Sequence, residues 1–207
     1  MANHANLISD NDTIQKMFVK GLKYTSDNHV YKLKDYCECV FDTQIQSKEW
    51  LVSTLESELK YHPKHVTVLA GWYGMVLIPL LYKAFGEITV DLYDVDEYTV
   101  DIASHVFGDW PKINLFCKDV VFDEIDFQGD MLINSSCEHM MDMKEITEAN
   151  EGKLFVYQSN NNRNVKWLHI NCAEDADELI EQTGLKKVLY AGSCMIYRNK
   201  RIMVIGQ

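Results

Sequence analysis

The stretch from Asn134 to Met140 holds amide, hydroxyl, thiol, carboxylate and imidazole groups directly after a short apolar run. Glu138 and His139 are candidates for a general base, since both kinds of side chain move protons in enzymes. Cys137 is a candidate substrate contact or nucleophile, although nothing beside it in the sequence indicates an activated thiolate. The alternative is a helix start in which Ser136 caps and Glu138 favours the first turn.

A glycine turn follows an earlier apolar run, residues 65–69. It reads Gly71, Trp72, Tyr73, Gly74. A glycine at this point lets the backbone approach a ligand and turn sharply into a helix. The third glycine of the dinucleotide fingerprint is missing, and a tight turn without a ligand explains the pattern equally well.

Carboxylates follow the next two apolar runs. Asp94 lies about 20 residues beyond the glycine turn, the spacing at which nucleotide-binding α/β proteins place an acid on ribose hydroxyls. We therefore assign Asp94 to a ribose and Asp96 to a helix N-cap. Asp119 can accept the amino group of an adenine while Val120 packs on the ring. A surface acid is the alternative for Asp119, because the chain has 31 Asp and Glu residues.

Amide side chains are concentrated between Gln158 and Asn162. Gln158 and Asn160 are candidates to hydrogen-bond a substrate, and a flexible turn is an equally good interpretation. Trp167 and His169 follow, and we expect them to fold over the site.

Strand and helix patterns alternate through most of the chain. Helical spacing is found at 12–19 and 42–61, with a turn predicted at 24–28. Strands are predicted at 65–69, 88–93, 112–117, 130–134 and 153–158, helices at 75–85, 97–107, 140–147 and 175–183, and a terminal hairpin at 188–197 and 201–205. The alternation predicts an α/β fold with a doubly wound, mostly parallel seven-stranded sheet, an antiparallel C-terminal hairpin, three α/β/α layers and an N-terminal helical extension. Ligands bind beyond the carboxyl ends of such strands, where the motifs above lie.

Composition excludes several classes of protein. The 207 residues carry a net charge of −11, which disfavours binding to nucleic acid. No apolar run reaches the length of a membrane span, and no signal peptide is expected. The six cysteines have no zinc-site spacing, so we expect no metal and reduced thiols in the cytoplasm. Apolar residues in the N-terminal helices would allow two copies of the chain to form a homodimer.

Taken together, these motifs resemble the class I S-adenosylmethionine-dependent methyltransferases over residues 66–207. VLAGWYG resembles the first motif of that family, with Ala70 where an acidic residue is frequent, YDVD resembles its ribose-binding motif and CKDV its adenine motif. DMLINSSCEHM stands where enzymes that methylate amino groups of nucleic-acid bases carry an Asn-Pro-Pro-Tyr-like signature, and this chain lacks it. INSSCEHM, VYQSNN and RIMVIGQ also resemble small methyltransferase-like proteins of bacteriophages.

The resemblance implies S-adenosyl-L-methionine as cofactor, bound by a Rossmann-like domain over 63–207, with residues 1–62 as a helical cap packed on its core. The residues it assigns to the cofactor are Gly71, Trp72, Tyr73, Gly74, Asp94, Val95, Asp119, Val120, Asn134 and Ser135. The residues assigned to the acceptor are Gln46, Trp50, Cys137, Gln158 and Asn160.

The function that this resemblance implies is methyl transfer to a small-molecule or protein acceptor. Most of the acceleration of such a reaction can come from positioning. We expect the helix before the first strand to cover the cofactor with Gln46, Ser47 and Trp50, while Glu138 or His139 orients or deprotonates the acceptor. Two alternatives stay open. One is aminocarboxypropyl transfer or cleavage of the same cofactor, and the other is a methyltransferase-like binding protein without activity, for which Ala70 is the departure to note.

Overall fold

The computed structural model of the protein describes residues 12–141, 143–164 and 169–207. Its strands are β1 His65–Leu69, β2 Thr89–Asp94, β3 Ile113–Cys117, β4 Met131–Asn134, β5 Leu154–Asn160, β6 Val188–Ile196 and β7 Asn199–Gly206. They form one sheet in the order β3-β2-β1-β4-β5-β7-β6. The pairings among β1 to β5 are parallel, and β7 lies antiparallel between β5 and β6. The predicted fold class is confirmed.

The central strands are buried on both faces, which is typical of a parallel sheet covered by helices. Every residue of β4 and β5 is buried, whereas β6 at the edge is mostly exposed or half-buried. The strand order reverses between β1 and β4, because β1 pairs with β2 on one side and with β4 on the other. Ligands of open α/β sheets bind beside this reversal.

The helices in the described residues are α1 Asp12–Asn28, α2 Leu33–Glu38, α3 Asp42–Glu58, α4 Leu77–Phe85, α5 Glu97–Phe107, α6 Lys144–Ala149 and α7 Ala176–Thr183, with 3-10 turns at Val30–Lys32 and Cys137–His139. Two apolar clusters cover the two faces of the sheet. The first unites side chains of α1 to α5 with strand residues, and the second unites those of α6 and α7 with the opposite strand faces. None of the described helices is long and apolar enough to cross a bilayer.

The first helix is longer than its sequence pattern predicts. The turn predicted at 24–28 is wrong, since α1 continues to Asn28. Its buried residues Ile14, Met17, Gly21 and Thr25 are spaced by three or four, so they form one face. The hydroxyl of Thr25 donates a hydrogen bond to the carbonyl of Gly21, so this buried polar group has a partner. The helix predicted at 140–147 also differs, because Met140 is extended and the helix runs from Lys144 to Ala149.

The third helix fixes the N-terminal segment to the sheet. Leu51 and Leu55 are fully buried and belong to the same apolar cluster as Val66 and Val68 of β1. The side chains of α3 and β1 share one apolar core. The predicted division of the chain near residue 62 stays a prediction.

Truncation of the Leu51 side chain tests the packing of α3 against the sheet. We expect Leu51→Ala to lower the free energy of unfolding by about 2–5 kcal/mol, because it leaves a cavity in the shared cluster. Urea unfolding followed by far-UV circular dichroism and by tryptophan fluorescence measures the change. Leu189→Ala, at an exposed position on β6, is the control and should change stability by less than about 0.5 kcal/mol. Two separate transitions would show instead that the N-terminal helices unfold on their own.

Candidate active site

A cavity of about 600 Å³ opens at the carboxyl ends of β1, β2 and β4. Cavities between about 300 and 1,000 Å³ suit small molecules and cofactors. Its walls come from the loops after β1, β2, β3 and β4, together with Asp35 and Glu38 of α2, Gln44 of α3, Ile170, and Arg201 of β7. The loops that carry the predicted motifs therefore converge on one hollow.

The loop after β1 is a tight turn pressed against β2. Ala70, Trp72 and Gly74 have φ angles of 48°, 52° and 65°, and such left-handed backbone outside glycine is uncommon and tends to occur at functional sites. A Cβ on Gly71 would lie 2.6 Å from Cγ of Leu92, so this position requires glycine. Ala70 and Trp72 line the cavity.

Two other members of the predicted glycine turn lie behind the cavity wall. Tyr73 is fully buried, and Gly74 packs against Ile78 and Leu92. Gly71 is also absent from the cavity lining, whereas Trp72 is part of it.

Asp94 lies at the end of β2 and lines the cavity. Its Oδ2 accepts the backbone N–H of Trp72 at 2.8 Å, and its Oδ1 accepts that of Asp96 at 3.1 Å. Burial raises the pKa of Asp94 despite these bonds. Each carboxylate oxygen has two lone pairs, so both keep acceptor capacity for a ligand. Asp96 accepts the N–H groups of Tyr98 and Thr99, and its predicted role as N-cap is confirmed.

Helix α2 clamps the loops after β1 and β2. Asp35 accepts hydrogen bonds from Nε1 of Trp72 at 3.2 Å and from the hydroxyl of Tyr73 at 2.8 Å. Lys32 forms an ion pair with Asp96. The sequence pattern did not reveal this helix or the roles of Asp35 and of Lys32, which directly precedes the helix, because a single Asp in an acidic chain gives no signal of its partners.

The loop after β3 supplies a mixed polar and apolar wall. Oδ1 of Asp119 accepts the N–H groups of Val121 at 2.9 Å and Phe122 at 3.3 Å, so the carboxylate organises its own loop. Asp119, Val120 and Phe122 all line the cavity. The side chain of Phe122 is 77% exposed, and Val95 across the opening is 66% exposed. Exposed apolar side chains at a cavity mouth are available to contact a flat ligand.

Glu138 forms the floor of the cavity as part of a buried ion pair. Its Oε1 accepts Nδ2 of Asn160 at 2.6 Å and Nη1 of Arg201 at 2.7 Å. Burial is the largest influence on Glu138 and acts to raise its pKa, but the charge of Arg201 and the hydrogen bonds of the carboxylate together outweigh it, so the pKa is lowered. Nη2 of Arg201 also donates to the carbonyl of Ser135 at 2.7 Å, which ties β7 to the loop after β4.

Two imidazoles stand beside this carboxylate. The rings of His139 and His169 meet edge to face with centroids 4.7 Å apart. His139 is exposed and lines the cavity, while His169 is half-buried. Ligand atoms of Glu138, His139 and His169 all lie within 4.8 Å of one another. The expectation for Trp167 falls outside the described residues.

Other residues assigned from the sequence contact protein and do not line the cavity. Nδ2 of Asn134 lies 2.9 Å from Sδ of Met140, and its Oδ1 accepts the N–H of Ser136. Ser135 is buried and offers its carbonyl to Arg201. Cys137 is buried, and burial raises the pKa of its thiol well above the usual range. A thiol in that state is a poor nucleophile.

Helix α3 reaches the cavity by a different residue from those predicted. Gln46 and Trp50 are half-buried and lie outside the lining. Ser47 pairs with Gln158, donating to its Oε1 at 3.0 Å, and this buried pair fastens α3 to β5. Gln44, one turn earlier, faces the cavity. Its side chain accepts a hydrogen bond from Nζ of Lys48 at 2.8 Å.

Lys48 is a second residue that the sequence pattern did not reveal. It is half-buried as a whole, while its ammonium end is enclosed by protein. Burial and the nearby charge of Arg201 lower the pKa of Lys48 to about 7. Lysines tuned to this range act as bases in enzymes.

This fold is similar to solved structures of methyltransferases. No protein-family model matches the sequence, and no curated protein matches it. Among solved structures, the N-methyltransferase NodS from Bradyrhizobium japonicum WM9 in complex with S-adenosyl-L-homocysteine has a TM-score of 0.60 at 12% identity, covering 95% of this chain and 99% of that one. Magnesium protoporphyrin IX methyltransferase (ChlM) from Synechocystis PCC 6803 with bound SAH has a TM-score of 0.56 at 13% identity, covering 80% and 84%. A variant of MtNAS in complex with S-adenosylmethionine has a TM-score of 0.55 at 13% identity, covering 92% and 72%.

The chain therefore has the fold of the class I S-adenosylmethionine-dependent methyltransferases. At 12–13% identity the likeness shows the fold alone. The resemblance to bacteriophage proteins stays a prediction.

The lowered pKa of Lys48 gives a pH prediction. Between pH 7 and about 10 the unfolded chain binds the lysine proton and the folded chain does not, so this residue makes stability rise with pH there. Lys48→Met removes the cost of the buried ammonium, and we expect it to stabilise the protein by about 1–3 kcal/mol at pH 7 and by less at pH 10. Urea unfolding at both pH values measures the difference. Lys23→Met, at an exposed position of α1, is the control and should change the free energy of unfolding by a similar small amount at both pH values. A gain that does not shrink at pH 10 would contradict the assignment.

Proposed function

We propose that this protein binds S-adenosyl-L-methionine in the cavity and transfers its methyl group to a small-molecule or protein acceptor. The observation that supports the proposal best is the convergence of Trp72, Asp94 and Asp119 around one cavity of about 600 Å³ at the reversal of strand order. Bound there, the cofactor supplies a methyl group activated on a sulfonium.

The donor side of the cavity suits an adenosyl group. Asp94 has acceptor capacity left for two ribose hydroxyls, and Asp119 with Val120 borders the place for the adenine. Val95 and Phe122 offer apolar surface to the ring faces. Five carboxylates and two cationic side chains other than histidine line the cavity, and this negative balance favours a positively charged sulfonium.

The acceptor side is the floor formed by Glu138 and His139. The lowered pKa keeps Glu138 ionised near neutral pH, so it holds an acceptor N–H or O–H by a hydrogen bond and is a weak base. His139, exposed at the same floor, is the residue that we propose takes the acceptor proton. Gln44 and Asn160 complete the polar surroundings, the first in the lining and the second through its bond to Glu138.

Binding of S-adenosyl-L-homocysteine tests the donor side. We expect Asp94→Asn to weaken this binding by about 10- to 100-fold, because hydrogen bonds to a charged acceptor are worth about 1.5–3 kcal/mol. Isothermal titration calorimetry on the full chain measures the affinity. Asp109→Asn, an exposed acid paired with Lys20, is the matched control and should bind like the unaltered chain. No binding to the unaltered chain would refute the proposal.

Substitution of Glu138 tests the acceptor side. We expect Glu138→Gln to lower turnover by about 10- to 100-fold while the affinity for S-adenosyl-L-homocysteine stays within about twofold, because the side chain faces the acceptor. Turnover is followed by mass spectrometry of nucleoside products after incubation with S-adenosyl-L-methionine and panels of small molecules and proteins. Formation of S-adenosyl-L-homocysteine together with a gain of one methyl group on the acceptor identifies methyl transfer. Methylthioadenosine would identify aminocarboxypropyl transfer or cleavage, and unchanged turnover would remove Glu138 from the mechanism.

A further inference from the structure

Glu138, His139 and His169 are brought together by backbone contacts between two separate segments. The carbonyl of Glu138 accepts the N–H of Ile170 at 2.8 Å and that of Asn171 at 3.2 Å. These bonds set the segment after β5 against the turn after β4. The nitrogen and oxygen ligand atoms of the three side chains consequently lie within 4.8 Å of one another.

The carboxylate has one oxygen that its protein partners do not use. Oε1 of Glu138 accepts Asn160 and Arg201, whereas Oε2 is buried and has no hydrogen-bond partner among the described residues. The side chain of Glu138 is only 4% exposed. A buried charged oxygen without a partner is costly, and such atoms in proteins point to an ion, a water or a ligand.

The tautomer of His169 is set by its surroundings. Its Nδ1 lies 2.7 Å from the carbonyl of Asn162, and a carbonyl oxygen only accepts, so Nδ1 carries the proton. Nε2 is then the nitrogen with a lone pair. Histidines that bind metal ions typically donate their other ring N–H to a carbonyl or carboxylate in this way, and carboxylate ligands are themselves hydrogen-bonded, as Glu138 is by Asn160.

We propose that Glu138, His139 and His169 bind one divalent transition-metal ion at the acceptor side of the cavity. Two imidazoles and one carboxylate favour Mn²⁺, Fe²⁺, Co²⁺ or Zn²⁺ over Mg²⁺ and Ca²⁺, which prefer oxygen ligands throughout. Neighbouring ligand atoms in such sites lie about 3–3.5 Å apart, so small rotations of the imidazoles close the site.

The position of the ion indicates the class of acceptor. Glu138 and His139 line the cavity, so coordination positions not used by protein would face the place of the acceptor. Arg201 offsets the charge of Glu138, so the ion would keep positive charge at the floor of the cavity and favour an acceptor with an oxygen ligand such as a hydroxyl. This role for the ion rests on the proposed methyl transfer, whereas its binding does not. With the ion bound, His139 would orient the acceptor through the ion instead of taking its proton, which the more acidic hydroxyl would lose to water.

Titration with Mn²⁺ tests the site directly. The full chain without a polyhistidine tag is treated with chelator, dialysed and titrated with Mn²⁺ alone, with free ion measured by electron paramagnetic resonance. We expect one site per chain, and at least a tenfold loss of affinity in both His139→Ala and His169→Ala. His62→Ala, at an exposed histidine beside Phe85 and outside the cluster, is the matched control and should bind like the unaltered chain.

Spin-echo spectra of Mn²⁺ bound to the unaltered chain keep the test decisive if a variant fails to fold. Modulation from imidazole nitrogen supports the site, and a bound ion without it overturns the assignment. The proposal is also overturned if no Mn²⁺ binds, if Mg²⁺ binds equally well, or if His62→Ala weakens binding as much as His169→Ala.

Binding of S-adenosyl-L-homocysteine in the presence of chelator distinguishes failure of the metal-site proposal from failure of the proposed methyl-transfer function. If the nucleoside binds and Mn²⁺ does not, the metal site is wrong and the proposed function stands. If Mn²⁺ binds and the nucleoside does not, the metal site stands and the methyl-transfer role given to the ion is wrong.

Discussion

The buried ion pair between Glu138 and Arg201 is the interaction on which the site depends. It joins positions 63 residues apart and brings the last strand of the sheet to the loop after β4. Each charge taken out of water costs several kcal/mol, so removing either residue leaves the other as an uncompensated buried charge. Glu138 also accepts a hydrogen bond from Asn160 of β5, and Arg201 donates a second one to the carbonyl of Ser135. The floor of the cavity is rigid because three chain segments meet at one carboxylate.

A second constraint holds the donor side. Asp35 binds both aromatic residues of the loop after β1, and Lys32 pairs with the acid that caps α5. The backbone of that loop is strained at Ala70 and Trp72, and strain of this kind persists only where surrounding contacts enforce it. Helix α2 is thus part of the cavity wall, although it lies outside the alternating strand and helix pattern of the sheet.

The fold is shared with enzymes of different specificity, and the fold alone does not choose an acceptor. NodS and ChlM have the same architecture at 12% and 13% identity to this chain. The floor of the cavity in this protein holds a buried carboxylate bound to arginine, two neighbouring imidazoles and a lysine whose pKa is lowered to about 7.

The sequence by itself determined the sheet and the donor side of the cavity. The strand at His65–Leu69 and the helix at Glu97–Phe107 have the predicted bounds, because burial of apolar residues at regular spacing is a local property. Trp72, Asp94 and Asp119 follow strands directly, and parallel strands bring their carboxyl ends to one edge, so their meeting could be predicted.

Only the tertiary structure decided the partners of the acceptor-side groups, although Glu138 and His139 were predicted there from the sequence. Arg201, Asp35 and Lys48 gave no signal in the sequence, because each acquires its role from partners distant in sequence or from enclosure by other elements. His169 was expected over the site, but only the folded chain shows that it lies beside Glu138 and His139. Gly71, Tyr73 and Gly74, which the resemblance assigned to the cofactor, do not line the cavity, and Tyr73 and Gly74 are buried, so their assignment stays a prediction. Chain direction after a strand follows from local rules, whereas the partner of a buried charge depends on which segments fold against it.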